Sequence, residues 1–171
     1  MAISTPKKGR IAIIGASGYG GLQLVKLINE HPNFEISTLN GERSVGKSWN
    51  EINPFMKIFG DKKITKSNID EIAQDSDYAI LSLPNGLSSQ LTPLLLEKGI
   101  KVLDLSADYR FKSLDKWKEV YTKEAAKYPR YDHELCEEAI YGFSEEFSRE
   151  ISKSRLIACP GCYPTASLSL L

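Results

Sequence analysis

Arg10-Ile-Ala-Ile-Ile-Gly-Ala-Ser-Gly-Tyr-Gly-Gly21 decides the fold. The apolar run up to Gly15 has the pattern of a short strand buried on both faces. From Gly18 to about Glu30, Leu22, Val25, Leu27 and Ile28 recur at helical spacing, and His31-Pro32 stops the helix. Phe34-Glu-Ile-Ser-Thr-Leu39 reads as the next strand, so the three pieces form one β-α-β unit. Gly15, Gly18 and Gly21 leave a strand and open a helix, where backbone N–H groups and the helix dipole can receive a pyrophosphate. Gly15, Ser17, Gly18, Tyr19 and Gly20 are the candidate contacts for a dinucleotide. The spacing is G-x-x-G-x-x-G, which leaves a second reading open, a tight βα turn with no ligand.

The alternation continues outward. Ile69–Ala73 reads as a short helix, and Tyr78–Leu83 as a strong strand stopped by Pro84-Asn85-Gly86. Leu87–Lys98 reads as a helix with Leu91, Leu94 and Leu95 on one face and Gly99 as its stop, followed by a strand over Ile100–Asp104. Asn40 to Phe59 is polar and irregular and predicts a long surface loop. Beyond Asp108, loops and short helices are expected to cover the sheet edge, with Trp117, Tyr121, Tyr128, Tyr131 and Tyr141 in aromatic packing and a last strand over Arg155–Ala158. The predicted class is α/β, a Rossmann-like doubly wound, mostly parallel sheet. Residues 1–9 read as a disordered lead-in, 10–158 as a dinucleotide-binding domain, and 159–171 as a nucleophile turn with the start of a truncated catalytic domain. Ser167-Leu-Ser-Leu-Leu171 stops inside an apolar helix without a closing cap, so a fragment of a longer protein is expected.

Composition narrows the partners. The chain balances 22 basic against 22 acidic residues over 171 positions and has no dense basic block, which disfavours nucleic acid and membrane surfaces. No apolar stretch approaches the roughly 18–20 residues that span a bilayer, and the N-terminus lacks the apolar core of a signal peptide. Three cysteines do not build a disulfide framework, which fits a reducing, cytoplasmic compartment. The partners expected are a small-molecule substrate and phosphate.

The end of the second strand bears on cofactor choice. Asn40-Gly-Glu-Arg-Ser44, with Lys47 nearby, offers Arg43, Lys47 and Ser44 to a 2′-phosphate, which favours NADP(H). Glu42 opposes this, since it would repel that phosphate or serve NAD itself. A solvated charged loop is the other reading.

Near the other end stands Ala158-Cys-Pro-Gly-Cys-Tyr-Pro-Thr-Ala166. It reads as strand, turn and helix start, which places Cys162 among unpaired N–H groups at the positive end of a helix. Such surroundings favour the nucleophilic thiolate. Cys159-Pro-Gly-Cys162 also fits C-x-x-C, but haem attachment needs His where Tyr163 stands. Cys136, His31 and His133 lack metal-ligand spacing, so no metal site is expected. Cys159 reads as a packing residue, and a purely structural pair of cysteines stays open. A thiolate working with a nicotinamide can attack an activated acyl group and hold a thioester, which hydride then reduces to an aldehyde. Such chemistry needs a general acid/base, and neither His31 nor His133 is convincing for it.

Taken in order, Gly15-Ala-Ser-Gly-Tyr-Gly-Gly21, Leu83-Pro-Asn-Gly-Leu-Ser88, Asp104-Leu-Ser-Ala-Asp-Tyr-Arg110, Tyr141-Gly142 and Pro160-Gly-Cys-Tyr-Pro-Thr165 resemble N-acetyl-γ-glutamyl-phosphate reductases. The resemblance covers nearly the whole chain, about the N-terminal half of such an enzyme. It implies NADPH-dependent reduction of N-acetyl-L-glutamyl 5-phosphate to the 5-semialdehyde, with phosphate release, in arginine biosynthesis. It further implies Cys162 as nucleophile, Gly15 to Gly21 as pyrophosphate turn, and Pro84 in a loop beside the cofactor. Ser106 and Arg110 are implied near the substrate, with Arg110 able to grip phosphate in a bidentate contact or to pair structurally with Asp104 or Asp108. The family's catalytic histidine would lie beyond Leu171, the fragment alone would be inactive, and the full-length protein would be a homo-oligomer. The family commonly has Asn where Cys159 stands, often His at the place of Asn85, and Phe at that of Tyr109. Alternatives are an aminoadipyl-phosphate reductase, an aspartate-semialdehyde dehydrogenase relative, or a non-enzymatic NADP-binding redox module using Cys159 and Cys162.

Overall fold

The computed structural model describes residues 8–55 and 62–170. Its strands are β1 (Gly9–Ile14), β2 (Phe34–Asn40), β3 (Tyr78–Leu81), β4 (Lys101–Asp104), β5 (Ile140–Tyr141) and β6 (Leu156–Ala158). They form one six-stranded sheet in the order β2-β1-β3-β4-β6-β5. The pairings of β1 with β2, and of β6 with β4 and β5, are all parallel. The expected Rossmann-like α/β class is therefore the observed one. The chain divides into two compact units between Ala79 and Ile80.

In the first unit, Ile11, Ala12, Ile13 and Ile14 are all buried, as a two-sided strand requires. Gly9, expected in the lead-in, already pairs with Phe34, and residues 1–7 lie outside those described. The register passes from Ile11 opposite Ile36 to Ala12 opposite Thr38, so Ser37 is the extra residue of a bulge in β2. Helix α1 (Tyr19–Asn29) packs Val25 and Ile28 inward, whereas Leu27 faces solvent. Arg10 donates from its backbone N–H and its Nη2 to the Asp77 carboxylate, clamping the start of β1.

The loop expected from Asn40 to Phe59 contains structure. Ser48 and Glu51 form a reciprocal capping box on the short helix α2 (Trp49–Ile52), and Trp49 is fully buried. Its hydrophobic signal is one aromatic residue in a polar stretch, too little for a periodicity to register. Ser48 also bridges Lys63, while residues 56–59 of the expected loop fall outside those described. Helix α3 (Ile69–Asp75) starts at Asn68, whose Oδ1 accepts from the N–H groups of Asp70 and Glu71.

In the second unit, helix α4 (Ser88–Glu97) buries Ser88, Ser89, Thr92, Leu95 and Leu96, and Leu94, expected inside, is exposed. A polar inward stripe of this kind misleads a reading based on leucines. Gly99 closes the helix at φ +79, a conformation that favours glycine. Helices α5 (Leu114–Val120), α6 (Thr122–Lys127), α7 (His133–Glu138) and α8 (Ser144–Lys153) follow, and two residues between α7 and α8 form β5. Trp117 is buried and tilts against Tyr121, whereas Tyr131, expected in the aromatic packing, is 86% exposed. The last expected strand, Arg155–Ala158, is β6, and Cys162–Leu168 forms helix α9.

Candidate active site

Two glycine-bearing turns leave the carboxyl ends of strands. After β1, Gly15 takes φ +91, and the N–H groups of Gly15 and Ala16 both donate to Asn40 O at 2.9 and 3.0 Å. Gly18 is the N-cap of α1 and makes no side-chain cap, so N–H groups of the first helical turn remain open to a ligand. Ser17, Gly18 and Tyr19 are exposed and Gly20 half-buried around that opening. Gly21 is held for another reason. A β-carbon there would lie 2.4 Å from the carbonyl oxygens of both Gly15 and Ala16, so only glycine lets α1 close onto the turn. A bare cap on an eleven-residue helix, with the backbone free to be approached, fits a pyrophosphate.

Asn40 organises what surrounds this turn. Its Nδ2 donates to Thr65 Oγ1 and its Oδ1 accepts from Thr38 Oγ1, so the buried side chain is spent on the fold. A β-carbon on the next residue, Gly41, would stand 3.4 Å from Ser17 Oγ, which brings the end of β2 against the glycine turn. Arg43 is exposed and Ser44 half-buried in the bend that follows, and Gly46 N–H donates to Ile64 O to fasten it. Glu42 and Lys47 are also exposed here.

The second turn follows β6. Cys159 N–H donates to Asp104 O, Gly161 caps α9, and Cys162 is its first residue and is exposed. Gly161 is extended (φ −72, ψ 164), so Cys159 lies outside the helix that Cys162 begins. Cys136 is buried and Cys159 partly so. Burial pushes both thiols up to about 11, with the Asp104 charge adding to the effect at Cys159. At neutral pH both stay protonated, and Cys162 is the exposed sulfur. One equivalent of iodoacetamide at pH 7.5 (about one pH unit below an ordinary thiol) should label Cys162, read by mass spectrometry of peptides. Equal labelling of Cys136 or Cys159 would contradict this.

The Asp104–Arg110 segment is a hydrogen-bonded knot. Asp104 is fully buried, and burial raises its carboxyl, which the Ser106 hydroxyl and N–H oppose. Ser106 Oγ donates to Asp104 Oδ2 at 2.8 Å and accepts from Asp108 N–H, so the hydroxyl is committed to the turn itself. Among the described residues, Arg110 forms an ion pair with neither Asp104 nor Asp108. Its guanidinium donates to the carbonyls of Leu105 and Cys159 instead. Pro84 is exposed in the loop after β3, where Asn85 Oδ1 accepts from Ala107 N–H.

The chain matches the family described as semialdehyde dehydrogenase, NAD binding domain, over residues 10–154. The chain belongs to this family. The semialdehyde dehydrogenase NAD-binding domain here is 93% identical over all 171 residues to the N-acetyl-gamma-glutamyl-phosphate reductase of Prochlorococcus marinus strain NATL2A, covering 48% of that protein. The protein of the same name from strain MIT 9211 is 53% identical over 168 residues, 98% of this chain and 47% of its own length. The chain thus spans about half the length of the curated relatives it matches. Aspartate semialdehyde dehydrogenase II from Vibrio cholerae, complexed with ASA, shares the fold at TM-score 0.64 and 23% identity, over 95% of this chain and 44% of that one. Aspartate semialdehyde dehydrogenase with NADP from Candida albicans shares it at TM-score 0.61 and 15% identity, over 90% of this chain and 42% of that one.

Two residues of this semialdehyde dehydrogenase domain that sequence patterns do not single out hold its second unit together. Asp108, fully buried, accepts from Gly86 N–H at 2.6 Å and Ser89 N–H at 2.9 Å, acting as a remote cap for α4. Arg130, 3% exposed, donates to Asp108 O at 2.7 Å and pairs with Asp132 at 2.8 Å. Its guanidinium also lies over the Trp117 and Tyr109 rings, 4.4 and 4.9 Å from their centroids. The one available signal was Asp108 inside the Asp-Leu-Ser-Ala-Asp stretch; Arg130 reads as an ordinary surface charge.

Proposed function

We propose that this chain is the dinucleotide-binding, nucleophile-bearing part of an NADPH-dependent reductase that converts N-acetyl-L-glutamyl 5-phosphate to N-acetyl-L-glutamate 5-semialdehyde in arginine biosynthesis. The observation that carries this reading is an exposed Cys162 at the start of α9, in a chain 93% identical to a protein of that name. The Cys162 thiolate attacks the acyl carbon, the bond from that carbon to the phosphate oxygen breaks, and phosphate leaves the thioester behind. When bound, NADPH supplies hydride to the acyl carbon. The thiolate is then expelled as the aldehyde forms, and a general acid/base outside this chain handles the proton. His31 is not suited to that task, since it is exposed and its Nδ1 accepts from Asn33 N–H.

The bare N-cap at Gly18 would hold the pyrophosphate, with Ser17, Tyr19 and Gly20 around it and Gly15 shaping the turn. Pro84 would border the cofactor, and Ser106 and Arg110 would lie on the substrate side. Arg43, with Ser44 beside it, would take a 2′-phosphate and so select NADPH over NADH. Arg43→Ala should then lower the NADPH-over-NADH preference in kcat/KM by roughly 10- to 100-fold, as loss of a charge-assisted contact implies. An unchanged preference would favour Glu42 on a ribose hydroxyl, hence NAD. Among the described residues no helix is long and apolar enough to cross a membrane, and the three free cysteines suit a reducing cytoplasm. The assay that tests the whole reading is phosphate-dependent NADP⁺ reduction by the complete protein. It should be active with N-acetyl-glutamate semialdehyde; turnover only with aspartate semialdehyde or the aminoadipate homologue would move the assignment to those relatives.

A further inference from the structure

We infer that Arg110 is a positioning residue for Cys162, holding the turn that carries the thiol rather than acting only as a grip for a substrate anion. The inference rests on the nucleophile role proposed above. Arg110 Nε donates to Cys159 O at 2.8 Å, and Nη2 donates to Leu105 O at 2.8 Å. Nη1 lies 3.1 Å from where a β-carbon on Gly161 would stand, so the guanidinium seats directly against the residue that caps α9. Cys159 N–H donates to Asp104 O at 2.8 Å on the same stretch. Cys159 is therefore tied to residues 104–110 through both its N–H and its carbonyl, and Gly161 lies against the same guanidinium.

Every residue from Cys162 to Leu170 is exposed in this chain, and Gly161 gives α9 no side-chain cap. Within this chain the sulfur is placed by its N-terminal connection, whose polar anchor is Arg110. A guanidinium suits the task, because its rigid fork can serve two carbonyls in different directions while an ammonium is a single point donor.

The test compares Arg110→Lys and Arg110→Ala with the wild type in the complete protein. Two readouts are needed, hydrogen exchange of a peptide spanning residues 159–165 without ligands, and kcat with phosphate KM in semialdehyde oxidation. A positioning role requires exchange at 159–165 to speed up by about tenfold or more while the α4 peptide stays protected. It also requires kcat to fall by about tenfold or more with phosphate KM nearly unchanged. A raised phosphate KM with unaltered exchange would make Arg110 an anion ligand only and overturn the inference. Equal loss of protection in α4 would also overturn it, since the effect would then be general instability. The Lys variant keeps charge and bulk if the Ala variant fails to fold. Should the wild type show no turnover with any semialdehyde, the enzyme reading fails, while exchange at 159–165 still decides whether Arg110 holds the turn.

Discussion

Cys162→Ala in the complete protein is expected to lower phosphate-dependent semialdehyde oxidation by roughly 10⁴-fold or more, the usual scale for loss of a covalent nucleophile. No neighbouring thiol can stand in. Cys136 is buried beneath Arg130, and Cys159 lies outside α9 with its thiol pushed up to about 11 by burial. Dinucleotide affinity should be unaffected, because the glycine turn after β1 makes its own hydrogen bonds to Asn40. A titration of NADPH fluorescence beside the rate assay separates the two properties. Turnover within about tenfold of the wild type would remove Cys162 as the nucleophile.

The second large effect concerns stability. Arg130→Ala should cost about 3–5 kcal/mol in a denaturant titration, because it strips a nearly buried carboxylate of its partner and empties the space between Trp117 and Tyr109. Arg130→Met, which refills that space, should lose less. The effect should also depend on pH in one direction. Burial pushes the Asp132 carboxyl up, but the hydrogen bonds and charge of Arg130 outweigh this and hold it below its ordinary value. A carboxylate depressed in the folded state stabilises above its unfolded value of about 3.9 and loses that contribution as pH falls through the folded value. The gap between wild type and Arg130→Ala should be full near neutrality and shrink below about pH 4. A gap independent of pH would mean that packing, not the ion pair, carries the loss.

The sequence makes the frame legible where hydrophobic pattern and glycine coincide. The isoleucines of β1, the spacing of Val25 and Ile28, and Gly99 after α4 each leave one physical reading. Both glycine turns stand out because a strand before and a helix after leave the chain few other routes. Less visible is structure made by polar residues turned inward. Ser88, Ser89 and Thr92 face the interior of α4 because Asp108 caps that helix from a distant turn, and no local periodicity reports a partner 19 residues away. Arg130 and Asp132 look like solvent charges until Tyr109 and Trp117 are seen around them. The two-residue β5 is too short to impose any alternation. Arg110 stood out as a charge, but which oxygens it serves depends on where β6 ends, and that is a matter of tertiary arrangement.

The buried Asp108 carboxylate has a bearing on recombining this domain with its relatives. It receives the loop after β3 on one side, while its own carbonyl receives Arg130 on the other, so three stretches far apart in the chain share one aspartate. Crossovers that import the Leu83–Ser88 loop without its Asp104–Arg110 and Pro129–Asp132 counterparts would strand a charge in the interior. For an engineer swapping segments to alter cofactor or substrate choice, those stretches are inherited as one block.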